Sequence, residues 1–265
     1  MTTIGIIANK GGQGKTTTSI NLAHGLALTG KKVLLIDCDD QGHISTTFNI
    51  PTNDIPTLFH LLTNSDLSVR DVIVPLRENL FGILSNETLY AGLIEIQGIQ
   101  NHTERVSRFR RIVDMISKAD FDYIIFDGKP GQTDFTYNIV LASNYIFIPV
   151  DVSGSDFLGL TGVSVFLKSI INTVREYENV IGNWLDRVNL IPFFYRTSFP
   201  DSQRDFNALK DKYPDLLSPA IRFSQALANA PRKTQTIFEY PTFPRNNGIV
   251  DFKNLVDFTI SLETV

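Results

Sequence analysis

The eight residues Lys10-Gly11-Gly12-Gln13-Gly14-Lys15-Thr16-Thr17 stand between an unbroken apolar run, Thr3–Ala8, and a helix-like segment that opens at Lys15. A strand before and a helix after is the setting that a phosphate-binding loop requires. Glycines let backbone N–H groups turn inward around phosphate oxygens, and the helix N-terminus adds positive potential. Gly11, Gly12, Gln13 and Gly14 supply that cradle. Lys15 is placed to reach the β- and γ-phosphates, the Thr16 hydroxyl to hold Mg²⁺, and Thr17 to donate to the α-phosphate.

Apolar runs alternate with amphipathic stretches along the rest of the chain. Thr3–Ala8, Lys32–Asp37, Tyr123–Asp127, Tyr145–Val150 and Val188–Tyr195 are short, rich in Ile, Val and Phe, and nearly unbroken. That is the pattern of parallel strands covered on both faces. Asn79–Leu84 reads as one more strand. Helix-like segments lie at Lys15–Leu28, Glu104–Ala119, Phe135–Ser143, Asp156–Tyr177, Phe199–Lys212 and Ile249–Leu262. The alternation predicts an α/β fold, a doubly wound and mostly parallel sheet with helices on both faces. Two loop-rich stretches, Thr47–Pro56 and Ala228–Gly248, are neither long nor polar enough to be linkers. One domain is expected over residues 1–265.

Composition narrows the function classes. With 43 % hydrophobic and 20 % charged residues in 265, the chain has the profile of a globular domain. Lys plus Arg number 24 and Asp plus Glu 28, for a net charge of −4, so nucleic-acid binding would need a local basic patch. One cysteine, Cys38, excludes a disulfide framework or a cluster needing two thiolates from one chain. The four histidines, His24, His43, His60 and His102, show no metal-ligand spacing. No apolar run is long enough to span a bilayer, and the first residues lack the pattern of a signal peptide. A soluble cytoplasmic protein is expected.

The usual G-x-x-x-x-G-K-[ST] pattern fails on a literal count, because Asn9 holds its first glycine position. What stands here is K-G-G-x-G-K-T-T, the deviant Walker A sequence. With it the chain resembles the ParA/MinD group of ATPases, and most of all its ParA branch. The resemblance implies a P-loop NTPase fold, ATP and Mg²⁺ as bound species, and a homodimer in the ATP state. It also implies that Lys10 reaches the nucleotide held by the other subunit. Cations supplied by a partner accelerate phosphoryl transfer by roughly 10³–10⁵-fold. A lysine acting in trans would therefore make hydrolysis and dimerisation one event.

Three carboxylates fit this chemistry. Asp37-Cys38-Asp39-Asp40-Gln41-Gly42-His43 resembles the switch segment D-x-D-P-Q-G-N, with Asp40 in place of Pro and His43 in place of Asn. Carboxylates at i and i+2 of a strand end share a face, so Asp37 and Asp39 both point at the nucleotide. The resemblance gives Asp39 the attacking water and Asp37 the Mg²⁺ shell. Cys38 points the other way, as a small buried thiol. Phe121–Asp127 is an apolar run ending in a carboxylate, the Walker B arrangement, which lets Asp127 hold Mg²⁺ through water. After it the family continues D-x-P-P, whereas this chain has Asp127-Gly128-Lys129-Pro130. Lys129 is thus an unexpected cation near the γ-phosphate position. It adds electrostatic stabilisation, fixes a neighbouring carboxylate, or is a solvated loop lysine.

Arg196-Thr197 and Ile221-Arg222-Phe223-Ser224-Gln225-Ala226 parallel the family's R-T and V-R-L-S-E-A segments. By that resemblance Arg196 and Arg222 contact double-stranded DNA without reading its sequence. Between residues 181 and 245 stand nine basic and six acidic residues, a local excess in an acidic chain. Such phosphate contacts position rather than specify, and they weaken steeply with salt. Arg105, Arg108, Arg110 and Arg111 form a second cluster, either paired along a helix or facing a partner. Phe193, Phe194 and Tyr195 are expected in the core, and Asn189 against the adenine.

The function implied is a slow, partner-stimulated ATP hydrolase that segregates or positions plasmid or chromosomal DNA, or a large protein cargo such as carboxysomes. A ParB-like or other cargo adaptor would trigger hydrolysis on the nucleoid. Two alternatives compete. A MinD-like membrane ATPase needs a basic amphipathic C-terminal helix, whereas the last nine residues carry no Lys or Arg, so no membrane partner is expected. A slow-hydrolysing regulatory switch stays open because of Asp40, His43 and Lys129.

Overall fold

The computed structural model describes residues 1–64, 66–116, 120–154, 159–177, 184–241 and 247–264. The apolar runs form one sheet of β1 (Thr2–Ile6), β2 (Val33–Cys38), β3 (Ile73–Arg77), β4 (Leu80–Ile83), β5 (Tyr123–Gly128), β6 (Tyr145–Asp151), β7 (Val188–Tyr195) and β8 (Ile221–Arg222). The spatial order is β3-β4-β2-β5-β1-β6-β7-β8, with only β3 antiparallel to its neighbour. Connecting helices are α1 (Lys15–Leu28), α2 (His43–Phe48), α3 (Leu58–Thr63), α4 (Leu89–Gln97), α5 (His102–Val106), α6 (Arg108–Met115), α7 (Asp134–Ala142) and α8 (Gly159–Val174). Then come α9 (Pro200–Lys212), α10 (Gln225–Asn229) and α11 (Asn247–Ser261).

Strand alternation splits the buried side chains into two cores. Val33 and Leu35 of β2 face one way, against Leu22 and Leu26 of α1 and Phe252 and Leu255 of α11. Leu34 and Ile36 face the other, against Phe109 of α6, Phe135 and Ile139 of α7 and Phe166 of α8. Phe109 is fully buried and stacks on Phe126 at 5.6 Å between ring centroids. Phe109→Ala is expected to lower unfolding free energy by about 3–5 kcal/mol, measured by urea denaturation.

Several features differ from the sequence expectation, in which α2, α3, α4, α10 and β8 have no counterpart. β3 escapes a pattern search because Pro75 interrupts it; the edge of a sheet tolerates a proline that donates no ladder bond. Asn79 adopts φ 56 in the turn that reverses the chain into β4. The segment read as one helix from Glu104 to Ala119 breaks at Ser107 into α5 and α6, and its last three residues lie outside those described. α8 begins at Gly159, residues 156–158 of the expected helix also lying outside.

β1 lies between β5 and β6, so the crossovers leaving β1 and β5 diverge to opposite faces. Ligands of open α/β sheets bind beyond the carboxyl ends of the strands at such a switch point. The glycine-rich loop emerges there.

Candidate functional site

Residues 10–14 turn directly from β1 into α1, and two of their glycines take backbone conformations closed to most residues. Gly12 has φ 75 and Gly14 φ 90. At Gly14 a Cβ would also sit 2.5 Å from the Phe193 ring. The loop is therefore held against β7 by a contact that only glycine permits. Lys15 is 5 % exposed and its Nζ donates to the Lys10 carbonyl at 3.2 Å. Burial lowers the affinity of that ammonium for its proton, while Asp127 and Asp39 oppose the shift.

The carboxylates converge on the same point. Asp37 and Asp127 are register partners on β2 and β5, both fully buried. Asp37 accepts from the Asp39 amide at 3.1 Å and from the Ile44 amide at 3.4 Å. Burial first, and then the charge of Asp127, raise its pKa well above the ordinary value. Ser19 Oγ donates to Asp127 Oδ1 at 2.7 Å, while Oδ2 is buried without a hydrogen-bond partner. Burial pushes Asp127 up to about 6, against the Ser19 and Thr16 hydroxyls and the Lys15 charge. Buried carboxylates crowded in this way favour arrival of a cation.

These residues fit Mg²⁺. The donors are hard oxygens, one carboxylate oxygen has no partner, and the Thr16 hydroxyl lies against Asp127. Among the described residues no group of three or more His, Cys, Asp or Glu side chains could hold a metal ion. Mg²⁺ suits such a site, because it commonly takes one or two carboxylates and completes its shell with water and phosphate.

A cleft of about 420 Å³ continues from the loop. Gly11, Gly12, Gly14, Lys15, Thr16, Thr17, Asp39, Gln41 and His43 line its polar end. Phe194, Leu227, Pro231 and Ile237 line an apolar end. That combination, with a volume in the range of small-ligand sites, suits a ligand with a phosphate tail and a flat apolar head.

Comparison with known proteins agrees with this chemistry. The family AAA_31, an AAA domain, matches residues 1–181. Sporulation initiation inhibitor protein Soj of Bacillus subtilis is 33% identical over 71% of this chain and 74% of its own. Chromosome partitioning protein ParA of Caulobacter vibrioides is 30% identical over 69% of this chain and 70% of its own. The chain belongs to the ParA-type partition ATPases. The fold matches as well: apo McdA of Cyanothece superposes with a TM-score of 0.81 at 24% identity, covering 98% of this chain and 99% of that one.

Within this ParA-type frame, the remaining site residues fall into place or move. Lys10 is exposed on the loop, its amide donating to Gln13 Oε1 at 3.3 Å. Cys38 is buried, and burial raises its thiol pKa well above the ordinary value. Asn189 does not line the cleft. It stands near the start of β7, donating to the Arg187 carbonyl at 3.3 Å, whereas the ring that lines the cleft is that of Phe194. The two lie five positions apart along the strand, roughly 16 Å at strand rise. Phe194, expected in the core beside Phe193, packs edge-on against that ring at 4.7 Å, is half-buried, and also lines the cleft. It adopts φ 60 where the β7–β8 register shifts, a bulge that turns its ring into the cleft.

Arg222, expected on the DNA face, is ion-paired within the chain, its side chain 32% exposed. Its Nε and Nη2 contact Asp251 of α11 at 3.0 and 2.6 Å, and its amide donates to the same carboxylate at 2.8 Å. Arg196 differs: its guanidinium lies over the Phe223 and Phe199 rings at 4.1 and 5.1 Å. Both rings are about half exposed, at 45% and 50%. The arginine cluster at 105–111 is largely paired, Arg105 with Asp134, and Arg108 and Arg111 with Glu104.

Sequence reading missed the clamp on the base-side loop. Arg77 of β3 pairs with Glu239 and donates to the Thr234 carbonyl, while Asn21 of α1 accepts from the Ile237 amide at 2.7 Å. The partners are 162 and 216 residues apart, so no local pattern announces them.

Proposed function

We propose that the chain is an ATP-driven positioning switch. It binds ATP and Mg²⁺, pairs with a second copy across the nucleotide, and holds non-specific double-stranded DNA in that state. A ParB-like or other adaptor on the cargo triggers slow hydrolysis and release. The cargo is plasmid or chromosomal DNA or a large protein body. One observation carries this reading: the phosphate loop and the register-matched Asp37 and Asp127 meet at one buried point, where Asp127 Oδ2 lacks a partner.

Each residue has a task in it. Gly11–Gly14 and Thr17 bind phosphate oxygens, Lys15 reaches the β- and γ-phosphates, and the apolar cleft end takes the purine. Thr16, Asp127 and, from its outer shell, Asp37 would hold Mg²⁺, which offsets charge building on the β–γ bridge. Asp39 orients the attacking water, and Lys10 supplies the partner subunit's site. Arg196 and Arg222 contact DNA phosphate, Arg222 from a side chain that is also paired with Asp251.

The test uses Asp39→Ala, which keeps the triphosphate from being cleaved. Its binding to random-sequence duplex DNA and to anionic liposomes is measured with ATP or ADP at two salt concentrations. DNA binding that requires ATP, falls steeply with salt and weakens with Arg196→Ala is the expected result. Liposome binding, or DNA binding indifferent to nucleotide, overturns the proposal. Among the described residues no helix is long and apolar enough to cross a membrane.

A further inference from the structure

Asp40 and Lys129 occupy the loops that leave the adjacent strands β2 and β5. The β2–β5 pairing ends at Cys38 and Gly128, and the next side-chain tie beyond it joins these two loops. Lys129 Nζ donates to Asp40 Oδ2 in an ion pair. The lysine also stands 5.9 Å from the Tyr90 ring centroid on α4. The two side chains are 11% and 26% exposed for Asp40 and Lys129, so solvent screens them less than a surface pair. Burial alone would raise the Asp40 pKa, but the Lys129 and Gln41 contacts outweigh it and the group is lowered.

From Asp40 the contacts run inward to the proposed catalytic carboxylate. Gln41 Nε2 donates to Asp40 Oδ1 at 2.9 Å, and the Gln41 amide donates to Asp39 Oδ1 at 3.2 Å. Behind them the Gly42 amide and the Ser85 hydroxyl both donate to the Asp39 carbonyl. Gly42 has φ 59, a left-handed turn that glycine takes readily, and it opens α2 directly after this segment.

We infer that Asp40 and Lys129 form a positioning clamp for Asp39, an inference that rests on the ATP-hydrolysis reading. Lys129 fixes Asp40, Asp40 fixes Gln41, and Gln41 sets the angle at which the Asp39 carboxylate meets the attacking water. Lys129 thereby acts through the switch segment, its charge directed at Asp40 rather than at phosphate.

The opposite charges of the pair give the clamp a kinetic signature. Asp40→Asn releases an ammonium beside the phosphate cleft, so KM for ATP falls while kcat drops. Lys129→Met leaves an unpaired anion near Asp37, Asp39 and Asp127, so KM rises while kcat drops. A misdirected reacting group costs about tenfold or more in kcat in either variant. The double variant returns KM toward wild type but leaves kcat low, and Lys129→Arg restores both.

Basal ATP turnover of the full chain and these four variants is measured with Mg²⁺, with thermal unfolding as a check on folding. Opposed KM shifts with a shared kcat loss, and rescue by Lys129→Arg, support the clamp. Single variants within twofold of the wild-type kcat, or KM moving in one direction for both, overturn it while wild-type hydrolysis stands. Absence of wild-type turnover overturns the hydrolysis reading and the clamp with it. If Lys129→Met unfolds, Asp40→Asn and Lys129→Arg alone decide the matter by the same kcat criterion.

Discussion

Lys15→Ala is expected to lower ATP turnover by about 10²–10³-fold, the loss seen when one preorganised donor to developing charge is removed. The lysine is almost fully buried, its ammonium oriented by the Lys10 carbonyl, and it faces Asp127 and Asp39. It therefore arrives at the phosphate with its solvent shell already removed, and alanine replaces neither its charge nor its reach. The loss should appear in nucleotide binding as well as in kcat, since the same cation meets phosphate in ground and transition states. A fluorescent ATP analogue in titration and single-turnover hydrolysis separate the two. Binding and turnover unchanged from wild type would remove Lys15 from the site.

Asp127→Asn is expected to move stability and activity in opposite directions. The carboxyl is raised from 3.8 to about 6, so between those pH values the folded chain holds a proton that the unfolded chain has released. For a group raised on folding, stability is greatest at low pH, declines as pH rises between the two values, and levels off above the higher one. At pH 7, without a bound cation, the buried ionised carboxylate beside Asp37 therefore costs the fold stability. Asparagine removes that cost. The variant without nucleotide should resist urea better than wild type at pH 7, with the difference shrinking toward pH 4. Its Mg²⁺-dependent turnover should fall by about 10²-fold or more, because the amide cannot balance a divalent charge. A stability difference between variant and wild type that does not change with pH would show that Asp127 is not under this strain.

The parts of the fold that the sequence announces are those governed by local pattern. α1 begins and ends where expected, at Lys15 and Leu28, because glycines precede it and Thr29-Gly30 follows. The buried parallel strands are equally visible as runs of Ile, Leu, Val and Phe. β3 is hidden by Pro75, and α4 by a Gly92 that weakens its helical signal. Phosphate-end residues were legible because loop chemistry fixes their spacing. Residues of the cleft's apolar end were not: Phe194 reaches the cleft through a bulge, and Pro231 and Ile237 arrive from a distant loop. Charge counting also leaves pairing out of view. Arg222 is bound by Asp251, and Arg204 by Asp201 and Asp205, pairings that a sum over residues cannot reveal.

Both borders of the sheet are short or blunted. At one border Pro75 removes an amide from β3, and at the other β8 offers only two residues. Bare borders invite another chain to add a strand, and these two offer little backbone to pair with. A second copy would find little backbone there to enlarge the sheet, so under the proposed ATP-driven pairing the carboxyl rim, and the nucleotide that fills it, would decide whether two copies of the chain meet.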